Sequence, residues 1–162
     1  RSIAVLEFRR VLFRSDFADS VLAELDYVIA SIHAGFSSDE KDNTDRLVRA
    51  MENPRVTCLG HPTGRLLLER EPYPVNMPEV LKVAAETGTW IELNCNPWRL
   101  DLDWRWWHKA RDLGVLCCIN PDAHKTKHLR FLDLGVTFAR KGWLRPQDVV
   151  NTRSLAQLRK LL

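Results

Sequence analysis

"TWIELNCNPWRLDLDWRWWHKARDLGVLCCIN", residues 89–120, holds the strand–helix–strand pattern that decides the fold. TWIELNC (89–95) and VLCCIN (115–120) are short apolar runs, which are typical of buried strands. The segment between them, DLDWRWWHKARDLG (101–114), has helical spacing and is closed by a glycine. Two buried strands joined through a helix predict a parallel βαβ unit.

The same alternation continues on both sides of this unit. Every predicted strand is apolar on both faces, as expected for a strand covered by helices. The chain therefore has the α/β fold class, with about four βα units and parallel strands, which is about half of a (β/α) barrel. The further predicted strands are 26–33 and 55–60, and the further predicted helices are 37–53, 77–88, part of 128–142, and Leu155 to Leu162.

Composition limits the classes of protein that this chain can be. It has 162 residues, of which 45% are hydrophobic and 28% are charged, with a formal net charge of +3. These values fit one globular domain with a sizeable core. No stretch of about 18 apolar residues is present, so the sequence predicts no membrane span. The four cysteines fall in or beside apolar runs and are interpreted as reduced core residues of a cytoplasmic protein.

The first fifteen residues, RSIAVLEFRRVLFRS, do not fit the pattern that follows. They have neither a small-residue cleavage site nor an uncharged apolar core, so they do not read as a signal peptide. FRRVLFRS looks like translated sequencing-adaptor sequence. We interpret residues 1–15 as a non-native or unstructured leader, and residues 16–162 as the folded part.

Polar side chains gather where the predicted strands end. The first of these strands ends in His33, His61 lies at the end of the second, and Asp122 and His124 lie at the end of the fourth. The carboxyl ends of parallel strands share one rim of the sheet, which is where α/β proteins place their chemistry. A lone histidine is usually structural. Three histidines and an aspartate at matching strand ends instead predict a site for zinc, manganese or iron.

Other residues at the same rim are candidates for binding a substrate. Arg65, Arg99 and Lys125 lie in the loops after the strands and suit phosphate, although solvated surface charge is the simpler alternative. Asn94 and Asn96 share the parity of Glu92, which is predicted to face the barrel centre, and are candidates for holding substrate or water. His108, Trp104, Trp106 and Trp107 are interpreted as packing or surface residues of a helix.

Several segments together resemble one known family. They are LAELDYVIASIHAGF, NPRVTCLGHPTGRLLLEREPY, IELNCNPWRLDLD, INPDAHKT and VTFARKGWLRPQDVVNTRSLAQLRKLL. This combination resembles the C-terminal PHP (polymerase and histidinol phosphatase) domain of bacterial X-family DNA polymerases. The resemblance runs from about Asp16 to Leu162, so residues 16–162 are expected to be the C-terminal half of a PHP domain.

The resemblance implies a distorted (β/α)7 barrel with up to three Mn²⁺ or Zn²⁺ ions. It implies 3′-to-5′ exonuclease and related phosphoesterase chemistry on DNA 3′ ends, as used in DNA repair. His33 and His61 match histidines of the family's S-[IV]-H and GHP motifs and would share one metal. Asp122 and His124 match its D-x-H motif and would serve the other two.

The sequence departs from the family in its amino-terminal part. An H-x-H motif, a further histidine and a metal-bridging glutamate of the family have no counterpart, and neither does the polymerase portion. We therefore expect a truncated fragment that is incomplete as an enzyme when alone. Two other functions stay open: a small-molecule phosphatase acting on histidinol phosphate or a nucleotide, and a non-catalytic structural PHP module.

Overall fold

The computed structural model describes residues 3–8 and 17–162 and contains one parallel sheet covered by helices. Its five strands lie side by side in chain order. The strands are β1 (Ile3–Phe8), β2 (Tyr27–Ile32), β3 (Cys58–Leu59), β4 (Trp90–Asn94) and β5 (Cys117–Asn120), and all four pairings are parallel. The predicted α/β class, with parallel strands forming part of a (β/α) barrel, is confirmed.

Six helices accompany the strands in the described residues. They are α1 (Asp19–Leu22), α2 (Glu40–Glu52), α3 (Met77–Thr87), α4 (Trp104–Asp112), α5 (Phe131–Lys141) and α6 (Leu155–Leu158), with short 3₁₀ turns between some of them. None of these helices has the length and apolar character needed to cross a bilayer.

Local sequence explains where the helices begin and end. Asp39 and Asn76 cap α2 and α3 by accepting hydrogen bonds from the backbone N–H groups of Asp42 and Glu79. Gly88 ends α3 in the left-handed conformation, with φ of 73°, as its sequence predicts. The prediction that a helix begins at Asp101 is wrong, because Asp103 caps α4 and the backbone of Asp101 pairs instead with that of Asn94.

The first fifteen residues fall partly within the described chain. Ile3–Phe8 form β1, which pairs in register with Tyr27–Ile32, so these six residues are not unstructured. Residues 1–2 and 9–16 lie outside the described residues. The interpretation that this segment is non-native stays a prediction.

The two faces of the sheet differ in what covers them. Val28, Ala30 and Ile32 of β2 belong to the main core. Alternate residues on the other face form a second cluster around Cys58, Trp90, Cys118 and Val150. Beside this cluster lies a cavity of about 990 Å³, which α6 helps to line. All four cysteines are buried and free, as the sequence predicts.

Candidate functional site

The carboxyl ends of β2 to β5 bring the predicted site residues to one rim of the sheet. His33 directly follows β2, and His61 follows β3 after one glycine. Gly60 is needed because a Cβ there would lie 2.9 Å from Cγ2 of Ile29. Because β2 and β3 are neighbours in the sheet, His33 and His61 lie close enough to contact each other.

Two of the predicted metal ligands, His33 and His61, contact each other directly at this rim. Nε2 of His33 and Nε2 of His61 lie 3.0 Å apart, and the ring centroids are separated by 4.8 Å. Oγ of Ser31 lies 2.9 Å from Nε2 of His33. Two imidazole nitrogens bound to one tetrahedral zinc at about 2.0–2.1 Å would be roughly 3.3 Å apart. The two nitrogens lie at hydrogen-bond distance, which is somewhat shorter than that ligand spacing.

His61 is the buried member of the pair. Burial and the nearby charges of Arg99 and His33 lower the pKa of His61 to about 4, so its ring is neutral near pH 7. Nδ1 of His61 is buried without a hydrogen-bond partner among the described residues. A neutral imidazole is the form that binds a metal ion.

Glu92 lies behind His61 and holds its backbone. Oε2 of Glu92 accepts hydrogen bonds from the backbone N–H of His61 at 2.7 Å and from Nδ2 of Asn94 at 3.1 Å. Oε1 accepts from Nδ2 of Asn120 at 3.0 Å. Burial raises the pKa of Glu92 to about 7, and these hydrogen bonds limit the rise. Glu92 thus ties the ends of β4 and β5 to the loop that carries His61.

Asp122 and His124 form the second part of the rim. Oδ2 of Asp122 pairs with Nε of Arg99 at 3.0 Å, and its charge also interacts with His61. Burial alone would raise the pKa of Asp122, but Arg99 and the other partners hold it below its ordinary value. Nδ1 of His124 lies 2.8 Å from the backbone oxygen of Asp122, and its side chain is 73% exposed.

The four predicted ligands thus lie along one rim but do not close around a single point. His33 contacts His61, whose electrostatic neighbour Asp122 contacts His124. Within residues 3–8 and 17–162, no group of three or more His, Cys, Asp or Glu side chains has a metal-holding arrangement. The assignment of these residues as metal ligands, and of one shared cation to His33 and His61, stays a prediction.

The predicted substrate-binding residues differ in what they contact. Arg65 donates to the backbone oxygens of Arg99 and Leu100 and pairs with Asp103, so its guanidinium holds the loop that follows β4. Asn94 is fully buried beside Glu92. These contacts give both residues a structural role, and their substrate role stays a prediction.

Asn96, Arg99 and Lys125 lie nearer the surface. Oδ1 of Asn96 accepts from the backbone N–H of Trp98 in a local turn, and Lys125 is exposed. Arg99 is the predicted phosphate ligand that directly contacts a predicted metal ligand, Asp122. Their substrate role likewise stays a prediction.

One carboxylate that the sequence analysis did not single out is Asp101. It is fully buried, and its Oδ2 accepts from the backbone N–H of Thr63 at 3.0 Å, whereas Oδ1 has no partner among the described residues. Burial raises its pKa to about 6. The sequence placed Asp101 at the start of the predicted helix 101–114, where an aspartate is common, so its burial was not foreseen.

The remaining histidines and tryptophans agree with the sequence interpretation. His108 is exposed on α4 and lies near Asp112. Trp107 is fully buried in the core and Trp106 packs against it, whereas Trp104 carries Lys141 over its ring at 4.9 Å.

Comparison with known proteins identifies relatives of this chain. No family model matches the chain. It is 44% identical over 147 residues to the DNA polymerase/3′-5′ exonuclease PolX of Bacillus subtilis, which covers 91% of this chain and 26% of that protein. It is 32% identical over 120 residues to a probable phosphatase of Caldanaerobacter subterraneus subsp. tengcongensis, covering 68% of this chain and 45% of that protein.

A probable phosphatase of Clostridium novyi is 35% identical over 81 residues, which is 49% of this chain. These relatives are named for hydrolysis of phosphoester bonds. It belongs to the PHP domain family, in the form found in bacterial X-family DNA polymerases. The chain spans about a quarter to less than half of the length of the first relatives.

Proposed function

We propose that this chain supplies part of the active site of a metal-dependent phosphodiester hydrolase that removes nucleotides from DNA 3′ ends. The contact between Nε2 of His33 and Nε2 of His61, 3.0 Å long at the rim of the sheet, is the observation on which the proposal depends. The chain is 44% identical, over 91% of its length, to a polymerase named as a 3′-5′ exonuclease, and this similarity supports DNA as the substrate.

His33 and His61 would hold one Mn²⁺ or Zn²⁺ ion, and Asp122 and His124 would contribute to further ions, up to three in the intact domain. The neutral state of the His61 ring supports this role, because a metal ion binds an unprotonated imidazole nitrogen. Such ions polarise a phosphoryl oxygen and lower the pKa of bound water. Partners of this chain would be the DNA 3′ end and the polymerase and PHP portions of a longer protein, located in the cytoplasm.

The chain's own residues would orient the metal ligands and the phosphate. Glu92 fixes the backbone of His61 through the 2.7 Å hydrogen bond, so the loop that carries the imidazole is held by the centre of β4. Arg99 neutralises Asp122 and, with Lys125, places positive charge where an anionic substrate would approach.

A small-molecule phosphatase is the second candidate. Its support is the similarity to relatives named as probable phosphatases, at 32–37% identity over 49–68% of this chain. A structural PHP module without catalysis is the third. The DNA hydrolase and the small-molecule phosphatase differ in their substrate. The structural module differs from both because it would catalyse no reaction.

Metal binding tests the ligand assignment independently of catalysis. We expect Mn²⁺ to bind the chain in an isothermal titration, and His61→Ala to weaken binding by at least about tenfold, since one coordinating nitrogen is lost. His108→Ala is the matched control, because His108 is exposed on α4. Equal affinity of the His61→Ala and wild-type proteins would overturn the assignment.

Hydrolysis tests the reaction. In a longer protein that includes this chain, Mn²⁺ and a 5′-labelled oligonucleotide should give a ladder of shortened products that His61→Ala abolishes. Release of phosphate from p-nitrophenyl phosphate without shortening of the oligonucleotide would favour the small-molecule phosphatase. Absence of both reactions in a metal-loaded protein would favour the structural module.

A further inference from the structure

A partly exposed aromatic surface lies beside Asp122 and His124. It consists of Trp98, Phe131 and His128, and we call it the aromatic ridge. The Trp98 and Phe131 rings meet edge to face with centroids 6.4 Å apart, and His128 stacks on Phe131 at 5.0 Å. Trp98 is 55% exposed, so the ridge presents an indole ring to solvent.

The aromatic ridge is joined to the candidate site at two points. The residue after Trp98 is Arg99, whose Nε contacts Oδ2 of Asp122 at 3.0 Å. At the other end, the backbone N–H of His124 donates to Nδ1 of His128 at 3.3 Å. Atoms bound at the ridge would therefore lie next to the site where hydrolysis is proposed.

The backbone of Trp98 is held on both sides, so the exposure of its ring is a feature of the fold. Its N–H donates to Oδ1 of Asn96, and its carbonyl accepts from the N–H of Leu67. An exposed tryptophan that is fixed in this way is characteristic of a binding surface.

Positive charge surrounds the aromatic ridge. Lys125, Lys127 and Arg130 are exposed, and none of them forms an ion pair with a residue of the described chain. Residues 123–132 contain no acidic side chain. The surface therefore combines ring faces with unpaired cations, which matches the bases and phosphates of a single DNA strand.

We propose that the aromatic ridge binds the 3′-terminal segment of single-stranded DNA, with a base stacked on Trp98 and the backbone phosphates along Lys125, Lys127 and Arg130. This inference rests on the proposed function for its choice of DNA. Substitutions at these residues would distinguish a DNA-processing enzyme from a small-molecule phosphatase, because a small phosphate ester is too short to contact an extended stacking surface.

Binding without metal tests the ridge separately from hydrolysis. Fluorescence anisotropy would follow titration of this chain into a labelled oligodeoxythymidylate in EDTA. We expect Trp98→Ala to weaken binding about tenfold and Trp98→Phe to retain most of the affinity, because stacking of one base contributes about 1–3 kcal/mol. Trp143→Ala is the matched control, since Trp143 is 68% exposed and lies outside the ridge.

Charge is tested by salt dependence. The double change Lys127→Ala with Arg130→Ala should reduce the slope of log affinity against log salt by about 1.4, as expected for two lost phosphate contacts to a single strand. Trp98→Ala should leave the slope unchanged, because stacking releases no counterions.

The proposed DNA binding would be overturned if Trp98→Ala bound with wild-type affinity, or if an abasic strand of the same length bound equally well. Failure of the wild-type chain to bind the strand would do the same and would leave a protein partner as the occupant. DNA binding that depends on Trp98, together with a metal affinity that substitution of His33 or His61 does not change, would support the aromatic ridge and contradict the hydrolase assignment.

Discussion

Oε2 of Glu92 accepts a 2.7 Å hydrogen bond from the backbone N–H of His61, which links the centre of β4 to the loop after β3. The other groups that contact this carboxylate are the side-chain amides of Asn94 and Asn120, which also donate. Three donors around two oxygens require a group that only accepts. An ionised carboxylate meets that requirement, and a glutamine of the same size does not.

We therefore expect Glu92→Gln to destabilise the fold. Its amide nitrogen would face at least one of the three donors and leave a buried polar group unpaired, which costs roughly 1–3 kcal/mol. Urea unfolding at about pH 8, where a carboxyl with a pKa of about 7 is ionised, measures the change. Glu86→Gln on the exposed face of α3 is the control, and equal losses for the two variants would contradict the prediction.

Asp101 predicts a specific dependence of stability on pH. Its pKa is about 6 in the folded protein against an ordinary value of 3.8, because burial disfavours the charge. The folded state holds this proton more tightly than the unfolded chain, so the free energy of unfolding falls as pH rises from about 4 to about 6. The full effect is on the order of 3 kcal/mol.

Asp101→Asn should remove that decline. The amide keeps an oxygen for the backbone N–H of Thr63 and carries no charge. Urea unfolding at several values between about pH 4 and pH 7 would give a flatter profile for Asp101→Asn than for the wild type. Asp133→Asn, an exposed change on α5, should keep the wild-type slope; a flattened profile in that control would point to another titrating group.

Backbone architecture was largely readable from the sequence. Buried parallel strands give continuous apolar runs, so β2, β4 and β5 fall within the predicted segments 26–33, 89–95 and 115–120. The glycine after α3 and the acidic start of α2 likewise follow from local chemistry. β1 was missed because its six residues lie in a segment that the composition marked as foreign.

Side-chain partners were less readable, because they depend on distances across strands. The parity of β4 predicted that Glu92 faces inward, but not that it holds the backbone of His61. A cationic residue in a loop could equally bind phosphate or the loop itself, and Arg65 binds the loop. Only the packed structure decides between such alternatives.

The contacts of Arg65 predict a loss of stability on substitution. Arg65→Lys keeps the charge but cannot donate at once to the backbone oxygens of Arg99 and Leu100 and to Asp103. We expect a decrease of about 1–3 kcal/mol in the free energy of unfolding. Arg105→Lys, which also involves Asp103 but is 73% exposed, should have a smaller effect. An unfolding curve that is unchanged in Arg65→Lys would instead return Arg65 to the group of free phosphate-binding candidates.

The outer edge of β5 gives the last prediction, which concerns Asn151. Its Oδ1 accepts from the backbone N–H of Ile119 at 2.8 Å, and its Nδ2 donates to the Ile119 carbonyl at 2.9 Å. The Asn151 side chain thus makes the two backbone hydrogen bonds that a neighbouring strand would make with Ile119. This pairing lies beside the parallel bridge between Cys117 and Val149. At this edge the chain itself covers part of a strand whose backbone groups would otherwise be unpaired.

Asn151→Asp separates the two hydrogen bonds, because a carboxylate still accepts from the Ile119 N–H but cannot donate to its carbonyl. We expect a loss of about 1–2 kcal/mol in the free energy of unfolding and faster amide hydrogen exchange along β5, since the edge opens more often. Gln147→Glu makes the same chemical change at an exposed position nearby and should leave both measurements close to wild type. Faster exchange in both variants would trace the effect to added negative charge, whereas faster exchange in Asn151→Asp alone would establish that this amide protects the edge of the sheet.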